Sequence, residues 1–479
     1  MEAILNAFSA FSNWAWGMPL TIVLLGTGLF STIITKGEFF YRWKFCFSNT
    51  YGKVFKKSDG VGTVSSFAAA CTAMANTIGT GNIAGVSTAI ASGGPGAVVW
   101  MWVTGLLGCS TKAVEIIIGQ RYRVKYSHID EYTCSRELAL KQTFGLKILP
   151  FLLAALFCIS SPWTCLVQVE ASVSAWAAAV SGNTSVLVTV LFLGSAAIVI
   201  FGGLRRISAW MEKIVPFMSI AYILGVLVIM IMNADMILPT FASIFKGVFT
   251  PQAAVGGFAG ATVRDAMRYG VARGMYSNDA GSGLGLIAHS PARVDHPIRQ
   301  GCWGWGEVFV DTCVVCTMSA LAILTTNVYQ TATDVSTSNY VTAAFQQTLG
   351  GAGAVFAAIV ITAFSWTTLI GHYYATENTF KGIIGDKPWL RTALIIFAIY
   401  YILPNIIGSR FDADLLWGFS DVLGVVNILT TSSLIFGNYK EIIRLCKDFN
   451  ERFQPAIDRG ENPEPVVFEN KNVSVSPFS

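Results

Sequence analysis

Charge is scarce in this chain. Asp, Glu, Lys and Arg make up 13% of its 479 residues, about half the roughly 25% of an ordinary soluble domain. A soluble protein of this size could not hide the 53% of residues that are hydrophobic behind so few charges. Histidine is scarcer still: His128, His289, His296 and His372 are dispersed along the sequence, which leaves no metal constellation and no catalytic triad. The ten cysteines show no disulfide framework; most, such as Cys71, Cys109, Cys158 and Cys165, sit in apolar runs, where a thiol behaves as a small hydrophobe. Cys313 and Cys316 do form a C-x-x-C, but in an apolar stretch with no second pair, so they read as core packing rather than as a metal or redox site. The N-terminus lacks a basic region and a small-residue cleavage site, so no signal peptide is expected and the first apolar run is retained as a span. The formal net charge of +4 rests on basic residues in short loops, which set topology and do not suggest nucleic-acid binding.

What is abundant is apolar residues, gathered in runs of about 20, the length that crosses a hydrocarbon core. The expected fold is an all-α polytopic membrane protein with eleven transmembrane helices, near 14–35, 64–91, 96–119, 148–177, 185–201, 214–233, 254–288, 302–326, 352–381, 392–404 and 415–437. Positive loops stay cytoplasmic, and every second connection is basic. Lys36, Arg42, Lys44, Lys53, Lys56 and Lys57 follow the first span, then Arg121, Arg123, Lys125, Arg136 and Lys141, then Arg205, Arg206 and Lys213. Arg293 and Arg299, Lys387 and Arg391, and Lys440, Arg444, Lys447 and Arg452 complete the series. The alternate connections 181–184, 327–348 and 408–414 carry only Arg410 between them. Eleven spans with the N-terminus outside and the C-terminus inside satisfy every loop. The segment 450–479, rich in Glu, Asn and Pro, reads as a disordered cytoplasmic tail.

Two spans contain poor helix formers at mid-membrane depth. The second runs Ala75-Asn76-Thr77-Ile78-Gly79-Thr80-Gly81-Asn82-Ile83-Ala84-Gly85, a sequence expected to unwind. Unwound backbone at that depth is tolerated only where it is buried in protein or lines a cavity. The N–H groups of Gly79, Thr80 and Gly81 would then face an anionic group such as a carboxylate, and freed carbonyls can coordinate sodium. The seventh span is similarly interrupted at Tyr276-Ser277-Asn278-Asp279-Ala280-Gly281-Ser282-Gly283. Glycine clusters also serve close helix packing, but two of them, each carrying Asn and hydroxyls, point to a transporter with inverted repeats and a midplane site. The chain then divides into a peripheral first helix with its basic loop (1–63), two five-helix repeats (64–233 and 234–437) and a tail (438–479).

At these residues the chain resembles the alanine or glycine:cation symporter family, also called the sodium:alanine symporters. The similar stretches are Thr77 to Val86, Gly93-Gly94-Pro95-Gly96-Ala97 and Trp100-Met101-Trp102. A second block comprises Arg273 to Gly281, Ile287-Ala288-His289, His296-Pro297 and Asp311-Thr312. The resemblance covers nearly the whole membrane region and implies a leucine-transporter-like core of ten helices in a 5+5 inverted repeat. It also implies that Gly79 and Gly81 form the carboxylate-binding turn, with Thr80 between them and with Thr77 and Asn82 lining the substrate and a sodium site. Gln168 would hydrogen-bond the substrate amino group, Tyr276 would wall the pocket beside unwound Ser277 and Asn278, and His372 would lie near it. The sodium site would combine Thr367 and Thr368 with carbonyls near Ala75 and Ile78. No cofactor is implied beyond sodium as coupling ion; the partners are a small amino acid, sodium and the bilayer. The sequence departs from the family pattern at Asp279, where Glu is usual, at Glu170, where Asn is frequent, at His372, where Trp or Asn is frequent, and in lacking Gly-Gly-Pro between Arg121 and Leu146. These departures bear on which amino acid is carried.

Ionisable residues within spans mark function by default. Glu115, Glu170, Asp311 and Glu377 qualify, as do Arg264, Arg268 and Arg273. The arginines read as structural, snorkelling or pairing near helix ends; Glu115 and Glu377 lie near cytoplasmic ends, and Asp311 could bond Thr312. Glu170 is two residues from Gln168, so a helix points it away from that side chain, leaving a salt bridge and an ion-coupling role both open. The expected function is sodium-coupled symport of a small neutral amino acid, alanine or glycine, at a plasma or bacterial inner membrane. The alternatives are a proton-coupled carrier of the same fold, using Glu170 or His372, and a non-transporting channel or sensor; an enzyme is not expected.

Overall fold

The computed structural model describes residues 11, 14–54, 60–180, 184–250, 262–332, 335–410 and 413–470, with side chains described outside 408–419. Lys56, Lys57, the start of the expected seventh span at 254–261 and the end of the tail at 471–479 lie outside the described residues. Helices dominate, because in lipid the backbone can satisfy its polar groups only within a helix or a closed barrel. Among the described residues, seven helices are long and apolar enough to cross a membrane: Ala97–Tyr122, Ile148–Ala179, Gly203–Met232, Pro297–Thr325, Thr337–Ile384, Leu390–Ile407 and Ser420–Gly437. Two shorter apolar helices, Met18–Ile34 and Ser185–Ile200, occupy the places of the first and fifth expected spans. The second and seventh are broken into the pairs Ser66–Thr77 with Val86–Gly93 and Val263–Asn278 with Leu284–His289.

The Gly203–Met232 helix shows how sequence sets the faces. Met211, Val215, Met218, Tyr222, Val226 and Ile229 are buried at helical spacing, while Phe217, Ile220, Leu224 and Ile231 are exposed on the other side. An apolar stripe left exposed on the outside of the protein is what a lipid-facing surface requires. This helix begins at Gly203 rather than near 214, its first turns carrying Arg205, Arg206 and Lys213. The connection after it holds a further helix, Ile237–Phe249. Gly350 interrupts the Tyr340–Ile384 helix with φ 63 and ψ −148, a conformation essentially reserved for glycine.

Two expectations need correction at the end of the bundle that carries the basic loops. The all-α reading overlooks a small antiparallel hairpin, Val124–Tyr126 with Glu131–Thr133, followed by the helix Arg136–Phe144, which Ser135 caps through Leu138 N. The tail is ordered as far as Asn470. Phe449 and Phe453 are buried against the His296 ring, at centroid distances of 4.9 and 5.0 Å. Beyond them Val466 N donates to Asp295 O at 2.8 Å, Arg123 donates to Phe468 O at 3.1 Å, and Asn470 bridges to Val124. Aromatic anchors and main-chain pairing outweigh the polar composition that suggested disorder.

Candidate functional site

The two interruptions meet. In the first, the helix ends at Thr77, Ile78 turns extended with φ −79 and ψ 90, and the chain re-enters as a π-helical turn, Gly81–Gly85. In the second, Val263–Asn278 ends with Asp279 in the left-handed region and Gly283 opens Leu284–His289 at φ 82. A Cβ on Gly81 would lie 3.2 Å from Ser277 Cα and 3.3 Å from Tyr276 Cδ1. A Cβ on Gly79 would overlap Thr368 Oγ1. Both glycines are therefore required for close approach; neither has a positive φ, so freedom of φ is not the reason for them. The second break is Asp279–Gly283, which makes Ser277 and Asn278 the last helical residues and not unwound ones.

Between the breaks lies a cavity of about 80 Å³, where a single enclosed water needs roughly 10–15 Å³. Thr77, Gly79, Thr80, Gly81, Gln168, Tyr276, Thr368 and His372 line it, as do Asn76 and Asp279. Four of these side chains carry buried polar atoms with no hydrogen-bond partner among the described residues: Asn76 Nδ2 and Oδ1, Thr80 Oγ1, Gln168 Oε1 and His372 Nδ1. Buried polar groups are almost always bonded, so a cluster of orphans around one cavity indicates a polar ligand.

Behind the first turn stands a polar hub that does not line the cavity. Asn82 Oδ1 accepts from Gly79 N at 2.8 Å, and Asn82 Nδ2 donates to Ser277 Oγ at 2.9 Å and Asp311 Oδ1 at 2.7 Å. Asp311 Oδ2 also accepts from Ser277 at 2.8 Å and Thr312 at 2.9 Å, and Asn278 Nδ2 donates to Thr312 Oγ1 at 3.1 Å. Cys316 Sγ completes the hub 3.0 Å from Ser277 Oγ. Asp311 and Cys316 belong to a second π-helical stretch, Phe309–Cys316, the irregularity that often marks functional sites in helices. Asn82 thus uses up the Gly79 N–H, and of the three amides expected to face an anion, Thr80 and Gly81 remain.

The expected sodium ligands are divided. Thr368 Oγ1 donates to Phe364 O at 2.9 Å beside Gly79. Thr367 Oγ1 donates to Ala363 O and Phe364 O at 3.1 and 3.0 Å and touches Met218. Ala75 and Ile78 are fully buried on the first broken helix. Glu170 lines a separate small cavity with Thr80, Ser174 and Asn339, so Thr80 is the wall between it and the main one. Glu377 is buried and paired with Lys381 at 2.6 Å, which also reaches Glu131 of the hairpin at 2.8 Å; Arg273 lies 3.9 Å from Asp421. Glu115 accepts from Gly281 N at the second break. Lys112 is absent from the residues singled out by sequence, although the rule that marks Glu115 applies to it equally. It is 1% exposed and donates to Asn278 O at 3.3 Å. Asn76 lies inside the glycine-rich stretch without a motif role of its own, so no sequence signal marks it.

Comparison with known proteins gives a concordant result. The model of the sodium:alanine symporter family matches residues 1–462. An uncharacterized transporter of Haemophilus influenzae is 35% identical over 464 residues, covering 95% of this chain and 97% of that protein. The sodium/alanine symporter AgcS of Methanococcus maripaludis is 31% identical over 458 residues, covering 91% and 97%. Among solved structures, MhsT in complex with L-phenylalanine superposes with a TM-score of 0.55 at 14% identity, covering 82% of this chain and 97% of MhsT, a likeness of fold.

Proposed function

This chain belongs to the sodium:alanine symporter family, and from that premise we propose that it carries a small neutral amino acid into the cell together with sodium, by alternating access around the cavity between its two broken helices. The observation that carries the reading is the convergence of both breaks on one cavity with four partnerless polar side chains. The substrate carboxylate takes the Thr80 and Gly81 amides and the Thr80 hydroxyl, at a half-helix start where the dipole favours an anion. Gln168 Oε1 accepts from the ammonium group, and Tyr276 walls the pocket. Sodium sits between the first broken helix and the Tyr340–Ile384 helix, held by carbonyls near Ala75 and Ile78 and by the Thr368 hydroxyl, with Thr367 in support. Such oxygens are hard ligands suited to an alkali ion. A peripheral first helix followed by two five-helix repeats, eleven crossings in all, with the C-terminus cytoplasmic, completes the proposal. At 100 mV each inward positive charge contributes about 2.3 kcal/mol to accumulation.

A proton-coupled variant is favoured by one observation, that Asp279 is among the residues lining the same cavity. The carboxylate requirement tests the site itself. A site whose buried donors are left unpaired rejects an analogue strongly, so alaninamide should compete for uptake far more weakly than alanine. Equal competition by the two would remove the carboxylate from the turn and with it the centre of this reading.

A further inference from the structure

Resting on that reading, we infer that the cavity holds a second polar subsite, formed by Asn76 and His372, that selects a neutral amino acid whose side chain ends in a carboxamide. Thr368 and His372 both line the cavity from the Tyr340–Ile384 helix, and at a spacing of four they share one face. The separation along the axis is roughly 6 Å. Thr368 packs on Gly79, the residue before the Thr80 and Gly81 amides that take the carboxylate, so His372 lies one helical turn away from that end of the cavity. Gly371 brings Asn76 to the same side: a Cβ at that position would come within 2.6 Å of Asn76 Oδ1 and 3.0 Å of its Cγ.

The polar groups of the cavity separate into those any amino acid would satisfy and those it would not. The Thr80 and Gly81 amides, the Thr80 hydroxyl and Gln168 Oε1 meet the carboxylate and ammonium groups common to all. On the helix facing them, Ser161 Oγ is bonded to Thr376 Oγ1 at 2.6 Å, Ser160 to Phe157 O at 3.4 Å and Thr164 to Ser161 O at 2.9 Å. Asn76 Nδ2 and Oδ1 and His372 Nδ1 have no such partners. The methyl group of alanine would displace water from them and return nothing, which leaves buried donors and acceptors unmade. A carboxamide offers two donors and an acceptor, the complement of an amide beside an imidazole nitrogen in either tautomer. A hydroxymethyl group is too short to span the turn of helix that separates Thr368 from His372.

The test is uptake of labelled alanine, serine, asparagine and glutamine into proteoliposomes under an inward sodium gradient, with each unlabelled amino acid as competitor. Asparagine or glutamine should half-inhibit at concentrations at least tenfold below alanine and below serine, a ratio that the unaltered protein alone can supply. In H372L and N76A that ratio should shrink at least fivefold, and because it is taken within each variant, expression level and partial misfolding do not enter. Alanine or serine preferred by the unaltered protein, or a ratio unmoved in both variants, overturns the subsite and leaves the symport reading standing. Sodium-dependent uptake of none of the four overturns the symport reading itself, and the subsite falls with it.

Discussion

Replacing Gly79 by alanine should disturb the first break through Thr368. The added Cβ would overlap Thr368 Oγ1 and lie 3.3 Å from its Cβ and 3.4 Å from its Cγ2. The hydroxyl cannot swing aside freely, because it donates to Phe364 O at 2.9 Å, a bond with a net worth of about 1 kcal/mol. Overpacking of this kind costs about 1–3 kcal/mol, and no strain in φ adds to it, since Gly79 is outside the positive-φ set. Thr368→Ala removes the overlapping Oγ1 together with Cγ2, at the expense of its own hydrogen bond. The double variant should therefore be less destabilised than the sum of the two singles by about 1–2 kcal/mol, within the range of coupling between touching residues. The assay is thermal unfolding of the four proteins in one detergent at one sodium concentration. Gly194→Ala serves as control, because nothing lies within 4 Å of its added Cβ and alanine is the better helix former. Gly350, exposed and superficially similar, would be a poor control because of its φ of 63. Strict additivity in the double variant would refute the contact as the reason for glycine at 79.

Three further outcomes follow from the same geometry. Thr368→Val should raise the sodium concentration for half-maximal uptake at least tenfold, while Thr367→Val, whose hydroxyl lies against Met218 instead of Gly79, should change it less than threefold; equal effects would contradict the assigned orientation. Burial holds the His296 imidazole down at about 4, against a weaker upward pull from Asp448. With a folded value below the ordinary 6.5, its neutral form stabilises the tail clamp fully above pH 6.5, and that contribution is lost as pH falls toward 4. Proteolysis within 459–470 should accordingly be faster at pH 5 than at pH 7.5, and His296→Phe should flatten that difference; the same slope in both proteins would rule His296 out. Cysteines introduced at Ser336 and Lys387, both exposed, should label from outside and only after permeabilisation, respectively, against native cysteines of which all but Cys313 are buried. Labelling of both from one side would break the odd span count.

The positions of the breaks were legible because Gly, Asn and Thr together weaken a helix at a depth where lipid cannot satisfy unwound backbone. The directions of individual side chains were not. Asn82, Ser277 and Asn278 belong to the same motifs as Gly79 and Tyr276, yet they turn toward Asp311 and Thr312. Regular helical spacing cannot anticipate this, because π-helical turns at Gly81–Gly85 and Phe309–Cys316 shift the register on both sides of the hub. Thr367 and Thr368 are consecutive, about 100° apart on a helix, which places one against Gly79 and the other against Met218. Composition misjudged the tail for a related reason: Phe449, Phe453 and Phe468 are few among its Glu, Asn and Pro, but each has a partner on the bundle that no local average reveals.

The central claim is that sodium drives an amino acid through this cavity, and gradient-driven uptake tests it most directly. Proteoliposomes holding the purified protein should accumulate a labelled neutral amino acid above its external concentration under an inward sodium gradient, lose that accumulation when a sodium ionophore collapses the gradient, and show neither effect in the Gly81→Leu variant, whose side chain would run into Ser277 and Tyr276. Accumulation that persists without sodium and follows an imposed pH gradient would contradict the account.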